Sequence, residues 1–520
     1  MVDISDKKEK PKQIGQQLTV GDLRNVHEQY EANEEEWEFL LAMYEGIRKI
    51  IKNQLIRQHE RESDISYERR MEELYGLGYT KSVVEIFQFY LFKAPDQHKL
   101  GRLHDYPLWD QFQNDADLYG NNYDAVMMEL ALFAGVQGHM GILVDKANVG
   151  DLETLEFAIE NRVYPYIAKY HPKAILDWEY KRNELGRPYL SYIKLKDDDE
   201  RYRIWTVNGW ELWEIPKDDE GNDMSDDAEA ELVEEGFNPL GIVPFIWHYN
   251  LRSKDIGVGV SDVHEVSRID LSIIRNISQI EEIINYAAFP MMRKPMRDAN
   301  PAEVRAPQGE DEVGVKAILE FDPEHPESKP DWLPAEVQGS VSAVQGWIEN
   351  KVREIYRAAN IGGLASTEPT SNPQSGVAKK IDFQMLNAKL VNKSINLEET
   401  ENRLLEFWLR WEGLWYILKD EAQMGRERTY DVEDVATDLE NALTAQMVIQ
   451  SESFNKHLMK SLVRQMLPTL GEYEIQEIDE EIDALVFGVP EGEEAGMMTE
   501  ENAAAVAEGQ EPDQEEESTE

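Results

Sequence analysis

The spacing of apolar positions in the first 145 residues predicts mainly helices. Apolar side chains recur at steps of three and four residues from Val20 to Arg61, over Val83–Phe92 and over Tyr123–Ala134. That spacing places them on one face of a helix. The short apolar run Gly141–Asp145 has no such period and predicts a buried strand.

Residues 163–249 change character, because short runs of aromatic and β-branched residues alternate with turn signals. This pattern indicates an antiparallel β region, and the acidic stretch 218–236 inside it is expected to be a surface insertion. The expected strands are Ala174–Trp178, Tyr189–Leu195, Tyr202–Val207, Trp210–Ile215 and, closing the region, Pro244–Trp247.

A continuous apolar stripe then predicts a helix over residues 261–286, about 37 Å long at 1.5 Å per residue. Ser261 or Asp262 is expected to cap its N-terminus, and Pro290 ends it. Residues 287–338 are proline-rich and irregular, with one expected strand at Val315–Phe321.

A second helix is predicted from about Ser340 to Ala359, followed by a loop of Gly, Ser and Thr. A longer helix is predicted from Val377 to about Trp415, and another over Val435–Met459. The last segment, residues 471–520, carries 19 acidic residues and no Lys or Arg. Disorder is expected from about Glu491 onward.

Composition narrows the classes of function. The chain has 53 basic and 103 acidic residues, a net charge of −50, whereas proteins that hold nucleic acid tightly usually present a basic face. The charge fits either general solubility or a surface that does not adhere to DNA. The absence of cysteine excludes disulfides, thiolate zinc sites, iron–sulfur clusters and cysteine nucleophiles. No secretion signal is expected from the polar N-terminus, and no apolar run approaches the roughly 20 residues that span a bilayer, so a soluble protein is expected.

No catalytic motif is present in the sequence: it contains no His-Glu-x-x-His, no Walker A and no Gly-x-Ser-x-Gly. Gly257–Asp262 superficially resembles a phosphate cradle but lacks the third glycine. Asp218–Asp223 lacks the ligand spacing of a calcium loop. No enzyme activity, metal or cofactor is therefore expected. The basic cluster Arg293, Lys294, Arg297 and Arg305 is either a set of ordinary surface cations or a contact for DNA phosphates or an acidic partner.

Several short motifs occur in one order along residues 60–415. Ser375-Gly376-Val377-Ala378, which opens a long helix after a flexible loop, resembles the Ser-Gly-x-Ala signature of the portal proteins of tailed bacteriophages. Similar to that family as well are Tyr67-Glu68-Arg69-Arg70, Tyr90-Leu91-Phe92-Lys93-Ala94-Pro95, Arg162-Val163-Tyr164-Pro165-Tyr166 and Gly241-Ile242-Val243-Pro244-Phe245. The insertion at 218–236 and the segment after residue 470 match nothing specific.

The resemblance implies an α+β, mainly α, portal fold of wing, stem, clip and crown with an antiparallel β region, assembling as a ring of typically twelve subunits. The implied regions are a flexible arm 1–20, wing 21–260, stem helix 261–286, clip 287–338, stem helix 339–360, tunnel loop 361–376, long wing helix 377–430, crown 431–490 and disordered acidic tail 491–520.

The resemblance also implies roles for residues. The clip cations Arg293, Lys294, Arg297 and Arg305 would contact DNA or the terminase. The tunnel loop would face DNA through Gly362, Gly363, Ser366, Thr367, Thr370, Ser371, Asn372, Ser375 and Gly376.

The implied partners are the terminase large subunit, a head–tail adaptor, the major capsid protein and a scaffolding protein. Double-stranded DNA would pass through without sequence-specific binding. The protein would sit at the portal vertex of the virion after assembly in the host cytoplasm.

Two other classes of protein remain open at this point. The first is an acidic scaffolding or chaperone-like assembly protein without a channel. The second, more distant, is a nuclease with a carboxylate metal cluster.

Overall fold

The computed structural model of the protein describes residues 15–60, 62–93, 98–148, 154–217, 223–288, 292–293, 331–332, 337–361, 376–426, 428, 430, 451–466 and 472–484. The chain divides into one unit up to Asp431 and a second unit from Val432.

The N-terminal part of the first unit is helical, as predicted. The single helical stretch expected from Val20 to Arg61 breaks after Arg24 and again at Gly46, whose φ of +95° does not belong to a helix. Short 3₁₀ helices lie at Gly101–Leu103 and Pro172–Ala174. The helices are α1 Val20–Arg24, α2 Glu28–Glu45, α3 Ile47–Lys52, α4 Asp64–Glu72, α5 Tyr79–Leu91, α6 Pro107–Asn114, α7 Tyr123–Gln137 and α8 Leu155–Asn161.

Two antiparallel sheets follow. The first has the order β2-β1-β8, from β1 His139–Asp145, β2 Tyr166–Tyr170 and β8 Phe245–Tyr249. The second is a five-stranded meander of β3 Ile175–Arg182, β4 Pro188–Lys196, β5 Arg201–Thr206, β6 Gly209–Glu214 and β7 Glu231–Phe237. Two short ladders pair β9 Leu251–Arg252 with β10 Gly259–Val260, and β11 Met292–Arg293 with β12 Asp331–Trp332.

One expectation about the β region is wrong. The stretch 218–236 is not wholly an insertion, because Glu231–Phe237 forms the edge strand β7 and pairs with β6. The strand expected at Pro244–Trp247 is confirmed as Phe245–Tyr249, and it pairs with β1, with Met140 opposite His248. Because β1 is buried, its backbone N–H and C=O groups need a partner strand along each edge, and β2 and β8 supply them.

The cores follow this layering. One large apolar cluster joins α5, α6, α7 and β1 to the later helices, and includes Trp109, Leu130, Ile142 and Trp408. A second lies where the two sheets face each other, around Trp178, Trp205 and Phe245. The fold is therefore α+β with antiparallel sheets, as the sequence predicts.

The second unit contains two described helices, Glu452–Met466 and Glu472–Ala484. They are joined by an ion pair of 2.8 Å between Lys460 Nζ and Asp483 Oδ1. Of the helix expected at Val435–Met459, residues 435–450 lie outside the described residues. The described helix extends seven residues beyond Met459. The expected strand at Val315–Phe321 and the tail from residue 491 lie outside the described residues.

Candidate functional site: a helix pair and a long helix

The first element of the candidate site is α9, His264–Ala288, predicted at 261–286. The Ser261 Oγ accepts a hydrogen bond of 3.0 Å from the Val263 N–H and donates one of 2.6 Å to the Val136 carbonyl. Its stripe residues Val266, Ile273 and Ile277 are buried. The sequence therefore predicted this helix, but Ser261 lies three residues before His264 and closes a turn ahead of the helix, so its hydroxyl does not cap the first turn as expected.

The second element is α10, Val337–Ala358, predicted at 339–360, which packs against α9. Lys351 donates a hydrogen bond of 2.7 Å to the Ser272 hydroxyl, in the middle of α9. Met292 follows the C-terminus of α9 and Trp332 precedes the N-terminus of α10, and these two residues pair in an antiparallel ladder. The two helices are therefore antiparallel, and the chain between them leaves and returns at one end of the pair.

The third element, α11, is Gly376–Trp411, called the long helix below. Its 36 residues correspond to about 54 Å. The helix predicted from Val377 to about Trp415 ends at Trp411, so it covers only the first part of the implied wing-helix region 377–430. The reason is Gly413, whose φ of +70° is left-handed and lets the Gly413 and Leu414 N–H groups bond back to the carbonyls of Arg410 and Leu409. A short helix, α12 Trp415–Leu418, follows.

A buried ion cluster, Asp262 with Lys389 and Lys393, joins the start of α9 to the long helix. The Asp262 carboxylate pairs with Lys393 Nζ through one oxygen and with Lys389 Nζ, at 3.2 Å, through the other. The Asp262 side chain has no exposed surface and that of Lys393 is 6% exposed. The cluster holds α9 and the long helix in one arrangement, because separating them would leave buried charges without a partner in an apolar interior.

Burial and charge oppose each other in this cluster. Burial alone would raise the pKa of Asp262, but Lys393 and Lys389 outweigh it and lower that pKa. Burial lowers the pKa of Lys393 although Asp262 opposes the shift. The ammonium group of Lys389 also lies 4.2 Å from the centre of the Phe87 ring, which adds a cation–π contact.

The long helix is also tied to the sheet β2-β1-β8. Trp411 Nε1 donates to the Val144 carbonyl at 2.9 Å, and the His248 ring nitrogen Nδ1 lies 2.9 Å from the Thr400 hydroxyl. Burial, and then the charge of Lys393, lower the pKa of His248 to about 3. The imidazole is therefore neutral at pH 7. The C-terminal two-thirds of the long helix is thus a rigid part of the first unit.

The stretch Gly257–Asp262 is not a phosphate cradle. Gly259 has no side chain because its Cα lies against the Gly138 carbonyl, and a Cβ there would overlap that oxygen. Gly257 has a φ of +85° and lies against the Trp178 indole in the same way. Both glycines are therefore explained by close packing of the backbone.

Within the described ranges, no group of three or more His, Asp or Glu side chains could hold a metal ion. Among the helices that the structure describes, none is long and apolar enough to cross a membrane.

Comparison with known proteins finds likeness only among solved structures. No protein-family model matches the chain, and no curated protein matches it. The chain is similar to a subunit of the virion of a native gene transfer agent particle, with a TM-score of 0.40, 12% identity and coverage of 80% of this chain and 98% of that one.

Two further similar structures come from the necks of such particles. For the neck of an empty particle, computed with C6 symmetry, the TM-score is 0.40, the identity 13% and the coverage 77% and 95%. For the neck of a native particle, computed with C12 symmetry, the TM-score is 0.37, the identity 12% and the coverage 77% and 89%.

Of the thirteen residues expected to act on DNA, the structure describes two, Arg293 and Gly376. Arg293 lies in β11 opposite Asp331, while Lys294, Arg297 and Arg305 lie outside the described residues. Gly376 is the first residue of the long helix. The other expected loop residues, Gly362, Gly363, Ser366, Thr367, Thr370, Ser371, Asn372 and Ser375, also lie outside the described residues.

The buried cluster was missed by sequence reasoning, although a signal for it exists. Lys389 and Lys393 are one helical turn apart and lie on the same face as the buried Leu386, Leu390 and Leu397. Two lysines on an apolar face require a buried carboxylate nearby. The sequence alone does not tell which of its 103 acidic residues supplies it.

Proposed function

We propose that this chain is a portal-type ring subunit, through which double-stranded DNA enters and leaves a virus capsid. One observation carries the proposal: the antiparallel pair α9–α10 is joined at its base to the long helix through Asp262 and Lys393. If the subunits form a closed ring, a rigid helix pair that is fixed at one end to the body of each subunit can surround the central axis of that ring. The order of helix, excursion, helix, loop and long helix is the order that the portal resemblance implies.

In this proposal each region has a mechanical role. The pair α9–α10 is the stem, residues 287–338 are the clip that meets the terminase and later the adaptor, and residues 361–376 are the tunnel loop. Residues 21–260 and the long helix form the wing, and residues 431–490 form the crown. The ring sits at one vertex of the virion, in contact with capsid and scaffolding proteins, and has no catalytic activity of its own.

The charge of the chain fits passage of DNA. A basic channel would bind phosphates and release counterions at each contact, so that every step of the DNA would have to break those contacts. A chain with a net charge of −50 repels the duplex, and short Gly, Ser and Thr side chains can touch DNA without holding it. A channel lined mainly by Lys and Arg would contradict this role.

Negative-stain electron microscopy and native mass spectrometry of the full-length chain test the proposal. The expected result is closed rings of about twelve copies with a central hole. A persistent monomer at micromolar concentration would overturn it. Particles without a hole would instead favour the scaffolding or chaperone-like function.

A further inference from the structure

An open cavity of about 450 Å³ lies between α9 and the connection from α3 to α4. Its polar lining consists of Arg57, Gln58, His59, Arg70, Arg275 and Gln279. All except Arg70 are exposed, so the cavity can be reached from solvent. The volume falls in the range of about 300–1,000 Å³ typical of ligand sites.

The charge of this lining is opposite to that of the chain. Three arginines line the cavity and no Asp or Glu does, although the chain contains 103 acidic and 53 basic residues. Two carboxylates near the cavity already have partners: Glu62 is held by Arg70, with Oε1 2.7 Å from the Arg70 Nε, and Asp64 accepts a hydrogen bond of 3.0 Å from the Gln58 side chain. The cavity is therefore a local cationic site on an anionic protein.

Two of the arginines keep hydrogen-bond donors for a ligand. Arg275 uses one N–H, with Nη2 2.9 Å from the Leu55 carbonyl oxygen. Neither Arg57 nor Arg275 has a carboxylate within 4.0 Å among the described residues. A guanidinium carries five donors in a planar fork, so both side chains can each present at least two parallel N–H groups to an oxyanion.

Arg70 gives the cavity a fixed wall. It is 7% exposed, and it donates to both oxygens of Glu62, to the Ser278 hydroxyl of α9 at 3.2 Å and to the Arg57 carbonyl at 3.1 Å. The backbone that carries Arg57 is thereby tied to the helix that carries Arg275 and Gln279. A site that is ordered before binding loses less entropy when the ligand arrives.

We propose that this cavity binds a phosphate group, through Arg57 and Arg275. Bidentate contacts from two arginines suit the tetrahedral oxygens of phosphate, and Gln279 can donate a further hydrogen bond. The phosphate can come from a free pyrophosphate or from the backbone of duplex DNA. This site stands on the cavity alone and does not require the ring.

Binding to the full-length chain tests the proposal, with pyrophosphate followed by calorimetry and a short fluorescent DNA duplex followed by anisotropy at several salt concentrations. The double variant R57Q/R275Q is expected to bind at least tenfold more weakly. The single variant R57Q is measured beside its matched control Arg187→Gln, which removes the same one charge at an exposed position of the β3–β4 hairpin and is expected to bind as the unchanged chain does. Because R57Q removes no salt bridge within the described part of the chain, it serves alone if the double variant fails to fold.

The two ligands identify the source of the phosphate. Binding of pyrophosphate alone that depends on Arg57 and Arg275 supports a site for a free phosphate. Binding of DNA that is displaced by pyrophosphate, with a salt slope lowered by roughly 1 to 2 in the double variant, supports a backbone site. No binding of either ligand, or binding that the double variant leaves unchanged, overturns the proposal, and the ring test is unaffected by that outcome.

Discussion

Asp262, two residues before α9, is fully buried and forms an ion pair with Lys393 of the long helix, 131 residues away. Lys389, one turn earlier on the same helix, pairs with the other carboxylate oxygen. One buried carboxylate thus pairs with two ammonium groups, of which that of Lys393 is almost fully buried. The arrangement of α9 against the long helix depends on it.

Replacing Asp262 by Asn should destabilise the protein strongly, by about 3–5 kcal/mol, because two lysines would remain in an apolar interior without their counter-charge. Urea denaturation of the full-length chain measures the loss. The matched control is Glu399→Gln, which breaks the ion pair between Glu399 of the same long helix and Arg252. The side chains of Arg252 and Glu399 are 56% and 58% exposed. That variant should lose at most about 1 kcal/mol. Equal losses in the two variants would mean that burial of the cluster has no energetic weight.

Replacing Gly259 by Ala should prevent normal folding of the α7–β1 corner, because the new methyl group would overlap the Gly138 carbonyl oxygen. We expect low soluble yield or a melting temperature reduced by many degrees. The control is Gly346→Ala in α10, where nothing lies within 4 Å of the new methyl group. It should stabilise the chain by up to about 1 kcal/mol, since alanine is the better helix former. A Gly259→Ala protein as stable as the parent would contradict the close packing.

Stability should fall in acid because of two buried histidines. Burial, and then the charge of His248, lower the pKa of His139 to about 3, and burial also lowers that of His248 to about 3. The unfolded chain takes up protons near pH 6.5 and the folded chain does not, so their contribution is complete above pH 6.5 and is lost as the pH falls toward 3.

Within that window each histidine should cost about 1.4 kcal/mol per pH unit. Urea denaturation between pH 7 and 4 measures the slope. His248→Gln should make the slope shallower, and His104→Gln, at an exposed position, should leave it as it is. An unchanged slope in His248→Gln would show that other groups cause the acid sensitivity.

A second buried pair offers a test of geometry at constant charge. Arg426 donates from Nε to Glu401 Oε2 at 2.8 Å and from Nη2 to Oε1, and both side chains are almost fully buried. Lysine cannot make this two-point contact, so Arg426→Lys should cost about 1.5–3 kcal/mol. Arg428→Lys alters a pair with Glu398 in which the arginine is 57% exposed, and it should cost at most about 1 kcal/mol. Chemical denaturation measures the free energy of unfolding of both variants. Equal losses in Arg426→Lys and Arg428→Lys would contradict the role of the two-point contact.

Local sequence patterns predicted most elements of the first unit. The three- and four-residue steps in α5, α7, α9 and α10 fix helices whose ends differ from the prediction by a few residues. The long helix also ends within a few residues of the predicted position, at Trp411, because Gly413 terminates it. Strand β7 was missed because Glu231, Glu234 and Glu235 gave the segment the composition of a loop.

The contacts that carry the proposals could not be predicted in the same way. The pairing of Asp262 with Lys393, of Arg70 with Ser278 and of β8 with β1 joins residues far apart in sequence. Those contacts follow from how helices and sheets stack, and a single sequence with many carboxylates offers many equivalent partners. The portal resemblance predicted the order of elements but not these contacts.

The edge strand β7 has a consequence for molecules held close together. Its outer backbone groups could accept a strand from another copy, which is how sheets grow into aggregates. Three glutamates in seven residues make such growth unfavourable, because two such strands side by side would bring like charges within a few ångströms. Crowded copies, in an assembly or during synthesis, are thereby kept from pairing with one another through β7.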